Sequence, residues 1–325
     1  MDRLALGLVV GVVCAVVLAG CANGTDDGGG SPELLSERAR AVQAGRAFLL
    51  ARQRGDGSWA PAPMGFPGGS TAMATWALLE SDGEPNDPAV AKALAWLRAL
   101  ETDKTYTLSV RANAYRAAAA EGAGAFGDPL QRDVRRLFAN SMDGAYTYVV
   151  EPKVADIADQ SNSHYAAMGV EAGAEEGVKV PREFWRQVMR YWLGTQNPDG
   201  GWPYSQQGTP STPTMTAAAL ATLGLCRRQL GGETGGADAA IERGADWLGA
   251  RFRESLRESS VTYYYFLTLD RLERLTGRRR LGGRDISETM VAELLRRQKP
   301  DGGWEGSWGR DVSTAYAVIV LSRQD

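Results

Sequence analysis

The side chains best suited to acid–base chemistry lie in one short stretch around the only histidine of the 325-residue chain. Asp159, Asn162, His164 and Tyr165 stand close together there, at the start of an apolar segment. A carboxylate and an imidazole held over a ligand can donate and accept protons. A histidine at a capped helix start more commonly bonds only with its neighbours, and the sequence leaves both interpretations open.

Further carboxylates stand near the beginnings of other apolar segments. Pairs of carboxylates hydrolyse glycosidic bonds, but acids in such positions also cap helices and face the positive end of the helix dipole. Capping is the more frequent role, and we weight it above catalysis. The candidate acids are Asp103, Asp156, Asp159, Glu258 and Asp311.

Metal and nucleic-acid chemistry find little support in the sequence. Zinc needs several His, Cys or Asp ligands, whereas the chain has one histidine and its internal Cys226 lies in an apolar run. Asp156 and Asp159 have no third acid nearby to complete a magnesium site. The net charge of -3 provides no basic surface for nucleic acid. We therefore expect no cofactor, no metal and no nucleic-acid partner.

A motif that occurs three times indicates how these residues are positioned. Gln, two spacers, Asp-Gly, a small residue and Trp recur at 53–59, 196–202 and 298–304, each time after an amphipathic segment. Asp-Gly permits a tight turn, the Gln amide can bond free backbone groups at a helix end, and Trp packs over a wide surface. We interpret the following residues as a structural clasp: Gln53, Trp59, Gln196, Trp202, Gln298 and Trp304.

Three weaker copies complete a repeat of about fifty residues. Each of the six copies precedes a segment that is apolar on nearly all sides, and most of these segments open with Ser, Thr, Asp or Asn, the preferred N-cap residues. A helix that is apolar all round is buried. The sequence therefore predicts an all-α protein of six hairpins, each with an outer and an inner helix, and no convincing strand.

Six such hairpins carrying this motif resemble the (α/α)6 toroid of the terpenoid cyclases and protein prenyltransferases. The resemblance covers 33–325 and is particularly clear for the bacterial prenyltransferase/squalene oxidase repeat proteins, whose QW motif the Gln-to-Trp element resembles. It implies one toroid domain whose inner helices point their N-termini toward a central cavity. The candidate cavity residues are Asp159, Asn162, His164, Tyr165, Tyr106, Thr214, Tyr264, Asp311 and Tyr316.

The catalytic motifs of that family are missing from the chain. A squalene-type cyclase protonates its substrate with an Asp-x-Asp-Asp motif, whereas the most similar segment here has Asp311 followed by Val312 and Ser313. The aspartate-rich magnesium motif and the zinc ligands of the family are absent as well. Whether the chain is an enzyme stays open at this point.

The N-terminus has the composition of a secretory signal. An apolar run ends in Leu-Ala-Gly before Cys21 and looks like a bacterial lipobox, which implies acylation of Cys21. A plain transmembrane anchor is the alternative. We expect a signal peptide at 1–20 and a lipidated, Gly-rich tether at 21–32. The toroid at 33–325 is then lipid-anchored to a bacterial membrane on its extracytoplasmic side.

The starts of the inner helices carry several tyrosines. A cavity lined with aromatic rings suits carbocations, sugars and apolar ligands, while packing between the two helix rings explains the same pattern. We expect a non-catalytic binding protein for an apolar, isoprenoid-like ligand or a partner chain. The alternatives are a divergent terpenoid or carbohydrate enzyme with other acids, and a structural surface protein whose side chains fill the cavity.

Overall fold

The computed structural model describes residues 32–62, 66–120, 126–150, 158–205, 209–233, 235–256 and 262–323. The predicted signal peptide, the lipidation site Cys21 and the candidate acids Asp156 and Glu258 lie outside the described residues. None of the helices in the described part is long and apolar enough to cross a membrane.

Twelve long helices alternate between two types over the described residues. The outer helices are α1 (Pro32–Ala51), α3 (Pro88–Ala99), α5 (Gly127–Ala139), α7 (Arg182–Gly194), α9 (Ala237–Gly249) and α12 (Ile286–Arg297). The inner helices are α2 (Gly69–Glu80), α4 (Thr105–Ala120), α6 (Gln160–Glu175), α8 (Pro213–Gln229), α11 (Thr262–Thr276) and α13 (Arg310–Ser322). These are the six hairpins that the repeat predicts.

The inner helices form a closed ring. Each contacts the inner helix of the next hairpin, and α13 of the last hairpin contacts α2 of the first. The outer helices pack around this ring, and α1 lies mainly against α13 rather than against its own partner α2. The first helix therefore closes the ring onto the last hairpin. The predicted all-α (α/α)6 toroid is confirmed.

The two helix types are buried as their sequences predict. Every residue from Thr214 to Cys226 of α8 is buried, because this helix touches others on all sides. In α7 the buried residues are the apolar ones, including Phe184, Val188 and Trp192, while Arg182 and Glu183 face solvent. Amphipathic helices thus form the outer layer and apolar helices the inner layer.

Two small elements fall outside the repeat. A short helix, α10 (Phe252–Ser255), follows α9. A two-residue antiparallel hairpin, β1 (Arg280–Leu281) and β2 (Arg284–Asp285), joins α11 to α12, although the sequence contained no strand pattern. Its turn residues, Gly282 and Gly283, have φ of 54° and 78°, which the missing side chain makes accessible.

The clasp has the same geometry in all three copies. Each Gln side-chain nitrogen donates to the carbonyl of its own turn and to a carbonyl of the next outer helix: Gln53 to Gly57 and Ala89, Gln196 to Gly200 and Ala240, and Gln298 to Gly302 and Ala41. Each Trp indole donates to the outer helix before it: Trp59 to Leu49, Trp202 to Trp192, and Trp304 to Leu294. Because Gln298 reaches Ala41 on α1, the last clasp joins the last hairpin to the first.

Candidate functional site

Four tyrosines from four inner helices meet where the N-terminal halves of these helices converge. The ring centroids of Tyr106 and Tyr165 are 4.8 Å apart and perpendicular, and those of Tyr165 and Tyr264 are 4.8 Å apart and stacked. Tyr316 completes the group, since its hydroxyl bonds that of Tyr165 and its ring lies 6.3 Å from Tyr264. With His164 they form the axial aromatic cluster, all of it buried.

His164 connects two of these helices. Its Nδ1 lies 2.8 Å from the hydroxyl of Tyr264, while its Nε2 is buried and has no partner among the described residues. Burial, assisted by the positive charge of Arg271, holds the pKa of His164 well below its ordinary value. The imidazole is therefore neutral at neutral pH, and one ring nitrogen remains free to bond a ligand.

Asp159 begins α6 as its N-cap. Its carboxylate accepts from the backbone nitrogen of Asn162 at 2.8 Å and from the side-chain nitrogen of the same residue at 2.7 Å. Burial raises the pKa of Asp159, against the lowering effect of these hydrogen bonds. The side-chain nitrogen and oxygen of the following Gln160 are buried and have no partner among the described residues.

The other candidate residues lie apart from the axial aromatic cluster. Asp311 is buried and forms an ion pair with Arg52, just beyond α1, so its carboxylate is directed outward. Asp103 is exposed and lies 3.2 Å from the ammonium of Lys104. Thr214 is buried in the first turn of α8. Within the described residues, no group of three or more His, Cys, Asp or Glu is placed to hold a metal ion.

A cavity of about 400 Å³ lies at the opposite end of the ring. All six inner helices contribute residues from their C-terminal parts, which shows that they run parallel. We call it the charged cavity. Its charged lining residues are Glu80, Arg116, Glu171, Glu175, Arg228, Arg271, Arg274 and Arg323. The expected cavity was to lie at the helix N-termini, but the axial aromatic rings are in mutual contact there.

Each buried glutamate of the charged cavity bonds two arginines. Glu80 accepts from Arg116 at 2.7 Å and from Arg323, and although burial opposes it, these arginines lower the pKa of Glu80 to about 2. Glu171 bonds Arg228 and Arg271 in the same way, and its pKa is lowered by them against the effect of burial. Both carboxylates are therefore ionised at neutral pH.

The charged cavity was missed in the sequence, although the helix period contains a signal for it. Each member of the axial aromatic cluster is followed seven positions later by a residue that lines the charged cavity. Two turns of helix return a side chain to nearly the same face. The pairs are Tyr106 and Asn113, His164 and Glu171, Tyr165 and Ala172, Tyr264 and Arg271, and Tyr316 and Arg323.

Comparison with known proteins gives related sequences and solved folds, while no family model matches the chain. It is 30% identical to a drimenyl diphosphate synthase of Streptantibioticus cattleyicolor over 203 residues, which is 56% of this chain and 34% of that protein. It is 34% identical to the enzyme of the same name from Streptomyces showdoensis over 139 residues, 41% of this chain and 25% of that one. The chain thus spans between a quarter and about a third of the length of these curated relatives.

Two solved structures share the fold. A type II terpene cyclase from Scytonema, solved with geranylgeranyl dihydroxybenzoate, has a TM-score of 0.57 at 15% identity and covers 89% of this chain and 97% of its own. An unsaturated glucuronyl hydrolase specific for heparin has a TM-score of 0.62 at 12% identity with the same coverage. The fold is that of a terpene cyclase-like α/α toroid, an architecture that also occurs in a carbohydrate enzyme.

Proposed function

We propose that the chain is a binding protein built on a terpene cyclase-like toroid and tethered to a bacterial membrane through Cys21. Its ligand is an apolar, isoprenoid-like molecule or a partner chain, held without turnover. The apolar run that ends at Cys21 supports the tether, and the Gly-rich segment after it supports a flexible link to the toroid.

The observation that carries the proposal is the ion pair between Asp311 and Arg52. A cyclase that starts by protonation needs a carboxylic acid that keeps its proton until the substrate is bound. Asp311 bonds the guanidinium of Arg52, just beyond the end of the outer helix α1, so its carboxylate is directed away from the axial aromatic cluster. Its neighbours Val312 and Ser313 supply no second acid. The position that resembles the family acid is therefore engaged by an arginine and stands apart from the axial aromatic cluster, which supports binding without turnover.

The axial aromatic cluster supports an isoprenoid-like ligand. Tyrosine rings offer flat apolar faces to a hydrocarbon chain, and the name of the related synthases refers to a terpenoid diphosphate. His164 Nε2, unpartnered among the described residues, provides a polar contact beside those rings. Since the rings now pack on one another, binding requires them to separate, as in a pocket that opens with its ligand.

A divergent cyclase is the second candidate, because of Asp159. Burial raises the pKa of this carboxyl group, which favours the protonated form that an initiating acid needs. It begins α6, the helix that also carries His164 and Tyr165 of the axial aromatic cluster. Against this role, both its oxygens accept hydrogen bonds from Asn162, which favour the ionised form.

Mass spectrometry of the purified full chain, before and after incubation with farnesyl diphosphate, separates the two candidates. The binding proposal predicts a co-purified or captured isoprenoid that is recovered unchanged, and loss of this capture in Tyr264→Phe combined with His164→Leu. A cyclised product that disappears in Asp159→Asn but persists in Asp311→Asn would instead establish the enzyme. A chain that captures no isoprenoid and releases no product contradicts both the isoprenoid ligand and the cyclase, and leaves a partner chain as the ligand.

A further inference from the structure

We infer that the charged cavity is a binding site for an oxyanion, the carboxylate or phosphate group of a small molecule. This inference goes beyond the proposed function, which concerns the axial aromatic cluster. The two regions are separate, since seven helical residues place them about 10 Å apart along the inner helices. The inference rests on the donors of one buried arginine, on the pairing of the surrounding charges and on the dimensions of the cavity.

Arg271 provides the first observation. Its side chain is only 7% exposed, yet it lines the charged cavity. One terminal nitrogen bonds Glu171, while Nε has no acceptor among the described residues. A buried guanidinium N–H without an acceptor is costly, because it has lost water and gained nothing in return. An oxygen of a bound carboxylate or phosphate supplies the missing acceptor.

The balance of charged groups provides the second observation. Five arginines and three glutamates line the charged cavity. Arg274 forms an ion pair with Asp270, which does not line the cavity. The five arginines therefore face four carboxylates in all, and one positive charge is unmatched. Part of the positive charge offsets the negative ends of the six inner-helix dipoles. Recognition of an anion therefore rests mainly on directed N–H donors, of which each guanidinium has five.

The dimensions and the remaining polar lining fit a small ligand. A volume of about 400 Å³ lies within the range of small-molecule pockets and is too small for a folded partner. Ser322 lines the same cavity, and its hydroxyl has no partner among the described residues. The hydroxyl of Ser322 and the Nε of Arg271 come from neighbouring inner helices, α13 and α11. Each of these two helices therefore contributes a donor group that has no acceptor within the described part of the chain.

Isothermal titration calorimetry of the full chain at low ionic strength tests the inference with three probes: inorganic phosphate, succinate and hexyl phosphate. We expect at least one probe to bind, and Arg271→Gln to raise its Kd by about tenfold or more, because a charge-assisted donor is lost. Arg190→Gln is the matched control, since Arg190 is an exposed arginine on α7 outside the cavity, and we expect its Kd to equal that of the unsubstituted chain. Hexyl phosphate binding much more tightly than inorganic phosphate identifies the head group of an amphiphile, and equal affinities identify a free anion.

A conservative variant keeps the test valid if Arg271→Gln does not fold. Arg271→Lys retains the positive charge but not the Nε donor, so we expect an unchanged melting temperature and a weaker Kd. The inference is overturned if none of the three probes binds the folded chain, or if both Arg271 variants bind them as tightly as the unsubstituted chain. Neither result bears on isoprenoid capture at the axial aromatic cluster, so the two proposals fail separately.

Discussion

Glu80 and Glu273 are both largely buried carboxylates on inner helices, yet their surroundings move their pKa in opposite directions. Glu80 bonds Arg116 and Arg323, which hold its pKa at about 2 against the effect of burial. Burial and the negative charge of the nearby Asp285 raise the pKa of Glu273 to about 7. Opposite dependences of stability on pH follow from these two shifts.

For Glu80 we expect a contribution to stability that acid removes. Its folded pKa lies below the unfolded value of about 4.5, so the contribution is complete above pH 4.5 and is lost as the pH falls toward 2. Glu80→Gln leaves two arginines without their carboxylate, and we expect it to lower the free energy of unfolding by about 3 kcal/mol at pH 7. Urea denaturation at pH 7 and pH 3 measures this. An equal loss at both pH values would contradict the assignment.

For Glu273 we expect the reverse. The folded state retains a proton that the unfolded chain has released, so stability falls as the pH rises from about 4.5 to 7 and is level above that. Glu273→Gln removes this dependence and should raise the free energy of unfolding by about 1 kcal/mol at pH 8, a value discounted for partial solvent screening. Thermal unfolding of this variant and of Glu305→Gln, an exposed control, checks the result. The control should follow the unsubstituted chain at every pH.

At this scale the sequence predicted that the tyrosines and His164 line a cavity, whereas their rings pack on one another, and the charged cavity was not predicted. Tyr106, Tyr165, Tyr264 and Tyr316 stood out because aromatic residues recur at the same place in successive repeats. Residues such as Arg271 near the ends of the inner helices resembled solvated termini. Which of them face the lumen depends on how each helix is rotated in the ring, and this rotation is set by packing between helices.

At the scale of the elements, the clasp explains why one repeat fixes the position of the next. The Gln side-chain nitrogen bonds its own turn and the following outer helix at once, so a local turn and a long-range contact share one donor group. The glycine of each turn is required as well. Gly302 has φ of 86°, and a Cβ there would lie 2.4 Å from the carbonyl oxygen of Ala44.

We expect Gln298→Glu to destabilise the fold by about 2 kcal/mol, because the substitution keeps the shape but places an acceptor against two carbonyl oxygens. Gln43→Glu provides a control, since Gln43 is exposed on α1 and lies outside the clasp. Chemical denaturation of both variants measures the difference. Equal and small effects would show that the clasp hydrogen bonds add little to stability.

The sequence predicted the elements that repeat along the chain and missed those that occur once. Six hairpins could be found because turn residues and apolar periodicity repeat along the chain. The helix α10 and the β1–β2 hairpin are too short to produce a period, and a two-residue strand depends on its Gly-Gly turn and on packing against α9 and α12. The association of α1 with α13 also lay beyond the sequence pattern, because it joins the first hairpin to the last.

At the scale of the whole molecule, closure of the ring can be measured by comparing two glycines. Gly45 on α1 packs against Trp304 at the seam, the contact between the first and last hairpins. Gly244 on α9 packs against Trp202 within the ring. A Cβ would lie 2.9 Å from Trp304 and 2.7 Å from Trp202, respectively. We therefore expect Gly45→Ala and Gly244→Ala to destabilise the fold to a similar extent, by about 2 kcal/mol each.

Unfolding monitored by circular dichroism in urea provides the measurement for this pair. Similar losses with one cooperative transition indicate that the seam is packed as tightly as the interior. A loss at Gly45 that is far smaller than at Gly244 would show that the ring opens between its first and last helices in solution.

The contact of α1 with α13 also bears on how such a protein can evolve. In an open array of repeats, a duplicated unit adds to one end and disturbs only its neighbour. Here a seventh hairpin would have to enter between two existing neighbours. The angle between each pair of neighbouring hairpins would then have to decrease. Gene duplication inside this chain is therefore penalised at all seams at once. We expect evolutionary substitutions to accumulate in the side chains that face the lumen and in the connecting loops, while the number of repeats stays fixed.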